Sequence, residues 1–185
     1  KIKKMNRISL IIVLLFICIF CNAQKYYTRS GLTEFKASQI AFEPVEAINE
    51  NTTVIFNINS GEVVAHVFIA SFEFKNALMQ EHFNENYMQS NLYPKGIFNG
   101  KINNFSKEKL NTISEFDLSG ILTIREKEKN IKTKVKLKEV NNKIIVTSKF
   151  IIKPDYFDIE IPYVVREKIA NQIQITLNYK LDEKK

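Results

Sequence analysis

Apolar and polar positions alternate with a period of two along most of this chain. Val54, Phe56 and Ile58 alternate with Ile55, Asn57 and Asn59, and the turn residues Asn59-Ser60-Gly61 follow. A β-rich run from Val63 to Phe74 comes next. Ile97 to Ile102 reads as a strand with Phe98, Gly100 and Ile102 on one face. Phe116, Leu118, Gly120, Leu122 and Ile124 alternate with polar residues, as do Ile131, Thr133, Val135 and Leu137. Asn141-Asn142 is a two-residue hairpin signal before Lys143 to Ile152. The last strand, Gln172 to Leu181, keeps Ile173, Ile175, Leu177 and Tyr179 in phase.

One stretch follows a different rule. Met79, Phe83 and Tyr87 recur every four residues with Leu78 beside them, while Gln80, Glu81 and Asn84 fall opposite. That spacing predicts one amphipathic helix over about 76–90, ended by Tyr93-Pro94 because proline disfavours the α region in the residue before it.

About eight short strands joined mostly by tight turns predict an all-β fold with an antiparallel sheet. A sheet of that size closes into a barrel or splits into a sandwich. Closure is expected here, since nothing in the last strand blunts an open edge. Inward by parity are Val54, Phe56, Ile58, Val67, Ile69, Phe98, Leu118, Leu122, Val135, Phe150 and Ile175, with the stripe Met79, Phe83 and Tyr87 closing the mouth. Small residues share the inward faces: Ala65, Gly100, Gly120 and Ser148. They either leave room for a ligand or relieve crowding, and the pattern does not choose.

Composition changes the picture at the N-terminus. Lys1, Lys3, Lys4 and Arg7 precede the apolar run Ile8 to Phe20 and then Cys21-Asn22-Ala23-Gln24. This is the layout of a secretory signal peptide, with cleavage expected after Ala23. Lipidation is not expected, because Ile17 and Phe20 precede the two cysteines where a small residue is required. Removing 23 of the 185 residues leaves 162, enough for one domain over 24–185. It leaves no cysteine, hence no disulfide, and no membrane span is expected after cleavage. Four of the 27 basic residues go with the leader, leaving 23 against 20 acidic ones. A net charge of +3 does not point to nucleic acid.

Catalytic patterns are absent from the sequence. The two histidines, His66 and His82, form no HExxH or HxH spacing, and no metal site is expected. His66 is expected to face outward, and His82 to sit on the surface beside Glu81 and Glu85. No serine occupies a GxSxG elbow, and Glu126 and Glu128 belong to a charged hairpin, Arg125 to Lys132. Lys132, Lys134, Lys136 and Lys138 read as the solvated face of a half-buried strand. No catalytic residue and no cofactor are expected.

The block LMQEHFNENY (Leu78 to Tyr87), then Tyr93-Pro94-Lys95 and Phe98-Asn99-Gly100-Lys101-Ile102, resembles the YceI-like family, in its form among exported proteins of Bacteroidetes-type bacteria. Ser71-Phe72-Glu73-Phe74, Leu118 to Ile124, Lys149-Phe150, Asp155-Tyr156 and Ile161-Pro162-Tyr163-Val164-Val165 continue the likeness over nearly the whole mature chain. The resemblance implies an eight-stranded lipocalin-like barrel with a helix near its mouth, exported to the periplasm. Some relatives hold a polyisoprenoid chain in an apolar tunnel. The expected role is therefore non-catalytic binding of an isoprenoid or other lipid-like ligand inside the barrel. The alternative is a structural or stress-response barrel with a filled core. A homodimer is left open. One departure matters: relatives carry His-Gly where this chain has Arg125-Glu126, so a head-group role of that loop does not transfer.

Overall fold

The computed structural model describes residues 24–38, 44–167 and 169–184. The signal peptide expected over residues 1–23 lies outside them. Nine strands occur among the described residues: β1 (Lys25–Ser38), β2 (Glu46–Asn57), β3 (Glu62–Phe68), β4 (Glu73–Phe74), β5 (Lys95–Ile102), β6 (Ser114–Ile124), β7 (Lys127–Val140), β8 (Lys143–Ile152) and β9 (Ile169–Glu183). Eight of them form a closed antiparallel barrel in the order β1-β9-β8-β7-β6-β5-β3-β2, with β2 pairing back onto β1. Strand β4 only extends the sheet beside the start of β2. The last strand has no open edge, because β9 pairs with both β8 and β1.

Several boundaries differ from the sequence expectation, each for a physical reason. Strand β1 and the first half of β2 carry buried positions that are polar or small, namely Thr28, Gly31, Thr33 and Ala37 on β1 and Asn49 and Thr52 on β2. Counting apolar residues passes over them. Asn49 can be buried because its Nδ2 donates to the Phe68 carbonyl at 3.1 Å and its Oδ1 accepts from the Asn51 amide at 2.8 Å. The run Val63 to Phe74 is not one strand. It breaks at a 3-10 turn, Ile69–Ser71, which drops the Ile69 side chain into the core. The hairpin over Arg125 to Lys132 shrinks to a two-residue turn, with Arg125 and Glu126 at φ of 49° and 61° and Ile124 paired to Lys127. Asn141-Asn142 makes the same left-handed turn, as expected, at φ of 51° and 60°.

The helix is shorter than expected. α1 (Ala77–His82) is capped by Asn76, whose side chain accepts from the Leu78 and Met79 amides. It widens into a single π-helical segment, Phe83–Tyr87. Gln89, at φ of 48°, ends it well before Pro94. Leu78 stands off the stripe, 57% exposed.

Three clusters divide the interior, one of them formed by Phe35, Ala37, Ala47 and Phe72 with Phe83 of the helical segment packed against it. At the closed end Phe56, Ile58, Leu110, Leu137, Ile144 and Leu181 are fully buried. There the β5–β6 connection forms the plug, with Phe105 set edge-on to Phe56 at 5.2 Å. At the other end Ile69, Met88, Ile131, Ile152, Phe157 and Ile159 gather under the helix. Each fully buried aliphatic or aromatic side chain of this kind contributes about 1.5–3 kcal/mol.

Candidate ligand-binding site

Among these clusters the barrel is hollow. A cavity of about 410 Å³ runs beneath the helix, within the range of small-molecule sites. A filled core, the alternative expectation, would have left no such space. Val54, Phe56, Val67, Ile69, Phe98, Leu118, Leu122, Val135, Phe150 and Ile175 line it, with Met79, Phe83 and Tyr87 over it from the helix. Ile58 does not. It lies inside the closed-end cluster with Phe56. Parity gives the direction of a side chain but not its depth along the barrel.

The small inward residues divide between the two roles that sequence left open. Gly100 and Gly120 face each other across β5 and β6, and a Cβ on either would stand 2.5 or 2.7 Å from the Phe98 ring. These two glycines relieve crowding. Ala65 and Ser148 line the cavity and leave room in it.

The helix is held over the opening at three places. Phe83 stacks on Phe35 at 5.4 Å and meets Phe72 and Phe74 at 5.8 and 5.0 Å. Gln80 copies a strand partner: its Nε2 donates to the Phe72 carbonyl at 2.6 Å and its Oε1 accepts from the Phe74 amide at 3.0 Å. Beyond the helix, the Arg125 guanidinium donates to Gln89 Oε1 at 2.9 Å and to the Asp158 carbonyl at 2.6 Å, and lies over the Tyr93 ring. The β6–β7 turn thus ties the chain after the helix to the β8–β9 connection. The sequence marks Arg125 as a departure but gives no sign of these partners, which are 33 and 36 residues away.

Electrostatically the cavity is almost neutral. Neither lysine nor arginine, aspartate nor glutamate lines it, and its polar groups are hydroxyls and two histidines. His82 is exposed, and His66, half-buried, sets its ring edge-on to the exposed Phe68 at 5.5 Å. Among the described residues no three His, Cys, Asp or Glu side chains converge. Burial raises the Tyr87 phenol above its usual range. Tyr179, deep in the wall, is pushed up to about 12 by burial, while its threonine partners pull the other way.

That shift has a measurable sign. A phenol whose folded pKa exceeds the unfolded value of about 10 contributes stability that is fully present below pH 10. It is lost as pH rises through the folded value. Between pH 9 and pH 12 the wild type is expected to lose on the order of 2 kcal/mol more than Tyr179→Phe, read from urea unfolding at each pH. Parallel losses in the two proteins would show that Tyr179 ionises as freely folded as unfolded.

A closed eight-stranded antiparallel barrel around an apolar cavity, capped by a helix, is a lipocalin-like architecture. The chain belongs to the YceI-like family, since the YceI-like domain model matches residues 27–181. No curated protein matches the sequence. Solved structures share the fold. A polyisoprenoid binding domain from Saccharophagus degradans, implicated in plant cell wall breakdown, superposes with a TM-score of 0.73 at 10% identity, covering 88% of this chain and 99% of that one. Burkholderia cenocepacia BcnA gives 0.65 at 15% identity, over 81% and 95% of the two chains. The Campylobacter jejuni YCEI protein gives 0.61 at 16% identity, over 80% and 89%. At these identities the likeness is one of fold.

Proposed function

We propose that this protein is a non-catalytic periplasmic binding protein that carries or stores an apolar or amphiphilic ligand of the isoprenoid or lipid class. The observation that carries the proposal is the 410 Å³ cavity with an apolar wall and no charged lining residue. Apolar surface removed from water supplies affinity at roughly 25 cal/mol per Å², so such a wall favours a hydrocarbon chain over water. Polyisoprenoid binding by the Saccharophagus degradans domain supports the chemical class. The basic-then-apolar pattern of residues 1–23 supports export. Met79 and Phe83 at the helix suit a flexible chain, because thioether and aromatic groups adapt to irregular shapes.

Intact mass measured under native conditions on protein from a periplasmic fraction tests both halves. The expected result is a polypeptide beginning at Gln24 with an added mass, and an isoprenoid or lipid in the solvent extract. A ligand-free mass in repeated preparations, with nothing extracted, would sink the binding proposal. A chain retained in the cytoplasm with its leader would sink the location.

A further inference from the structure

Within this apolar wall three hydroxyls meet. Thr33 of β1, Thr52 of β2 and Tyr179 of β9 all line the cavity, and they are 7%, 2% and 5% exposed. Thr33 Oγ1 lies 2.8 Å from Thr52 Oγ1 and 2.9 Å from the Tyr179 hydroxyl. The barrel is irregular at this place. The β1–β2 ladder slips between Thr28 and Gly31 and again between Gly31 and Thr33. The Tyr179 ring lies against Gly31, where a Cβ would stand 2.6 Å from it. Bulges of this kind re-aim side chains and are concentrated near functional sites.

A wall whose only task was packing would do better with valine and phenylalanine here, since each buried hydroxyl must recover the hydrogen bonds it loses to water. The triad recovers them only among its own members. Thr33 is hydrogen-bonded to both partners, and Thr52 is also a hydrogen-bond partner of Tyr179, so a hydroxyl proton can rotate within the ring or outward to a further acceptor. Ser148 is not free in this way, because its hydroxyl donates to the Lys134 carbonyl at 2.6 Å.

We propose that this triad is the polar anchor of the cavity, donating one hydrogen bond to a neutral carbonyl oxygen carried on an otherwise apolar chain. The inference rests on reading the cavity as a ligand site and adds the chemistry of the ligand's polar group. A carboxylate or phosphate does not fit, because no lysine or arginine lines the cavity to compensate a buried charge. A pure hydrocarbon makes no use of the three hydroxyls. A carbonyl accepts a proton rotated outward from the triad and brings no donor of its own. A water molecule held by the three hydroxyls is the competing occupant.

Displacement of the fluorophore N-phenyl-1-naphthylamine from the full mature chain, stripped of co-purified lipid, separates these outcomes. Tetradecane, 2-tetradecanone and tetradecanoate at pH 8 serve as competitors of matched chain length. The ketone is expected to displace the fluorophore at roughly fivefold to tenfold lower concentration than the alkane, with the carboxylate no better than the alkane. The near-isosteric Thr52→Val and Tyr179→Phe are expected to erase the ketone's advantage. Equal displacement by ketone and alkane in the wild type overturns the anchor and leaves the cavity reading standing, even if neither variant folds. The same holds if the advantage survives in both variants. A cavity that takes up neither fluorophore nor competitor overturns the ligand-site reading and the anchor with it.

Discussion

Phe157→Ala is expected to cost about 3–5 kcal/mol, the largest stability loss at any single position outside the closed end. Phe157 closes the 3-10 turn Pro154–Phe157 in the connection between β8 and β9, and its side chain is fully buried. It shares one cluster with Ile131 and Ile152 of the wall, Ile69 of the β3–β4 turn and Met88 beyond the helix. Truncating it removes the transfer energy of an aromatic ring and opens a void against an existing cavity, which the surroundings have little means to close. For a chain of this size the melting temperature is expected to fall by roughly 6–20 °C. The neighbour Tyr156 is the control. It is exposed at the surface near Lys129 and Lys153, and Tyr156→Ala is expected to cost no more than about 1 kcal/mol. Urea unfolding of both variants reads the difference. Equal small losses would mean that the β8–β9 connection lies outside the cooperative core.

The contrast between these two adjacent residues shows where sequence carried the fold and where it did not. Alternation in β6, β7, β8 and the end of β9 was plain, because those strands bury one apolar face and wet the other. Closure followed from the same pattern. Phe157, Ile159 and Ile161 also alternate with Asp158 and Glu160, yet they belong to no strand, and their burial comes from the helix end and barrel mouth. Strand β1 was illegible for the opposite reason. Its inward positions include threonines and a glycine that earn their places through partners on β2 and β9, and a one-letter hydropathy count cannot see partners. The stripe Met79, Phe83 and Tyr87 was legible because its four-residue spacing survives the change from α to π geometry. The clamp at Arg125 was not, since its hydrogen-bond acceptors are a distant side chain and a backbone carbonyl.

Ala65→Trp is expected to abolish ligand uptake, with affinity falling by more than about a hundredfold while the barrel still folds. Ala65 sits on β3 opposite Val54 and Phe98, and it is one of the small residues that leave the cavity open rather than accommodate a neighbouring ring. An indole there projects into space that a ligand chain would otherwise fill. Overpacking a filled core costs typically 1–3 kcal/mol, and the vacancy places this substitution at the low end of that range. Loss of about a hundredfold in affinity corresponds to about 2.7 kcal/mol, the transfer energy of three to four methylene groups denied contact with the wall. Val64→Trp provides the matched control, one residue earlier on the same strand but exposed on the outer face. It adds the same indole outside the barrel and is expected to leave uptake unchanged. Native mass and fluorophore displacement of the two variants read the result directly. If Ala65→Trp folds and still carries the ligand mass, the ligand does not occupy the barrel axis, and the apolar cavity is not its site.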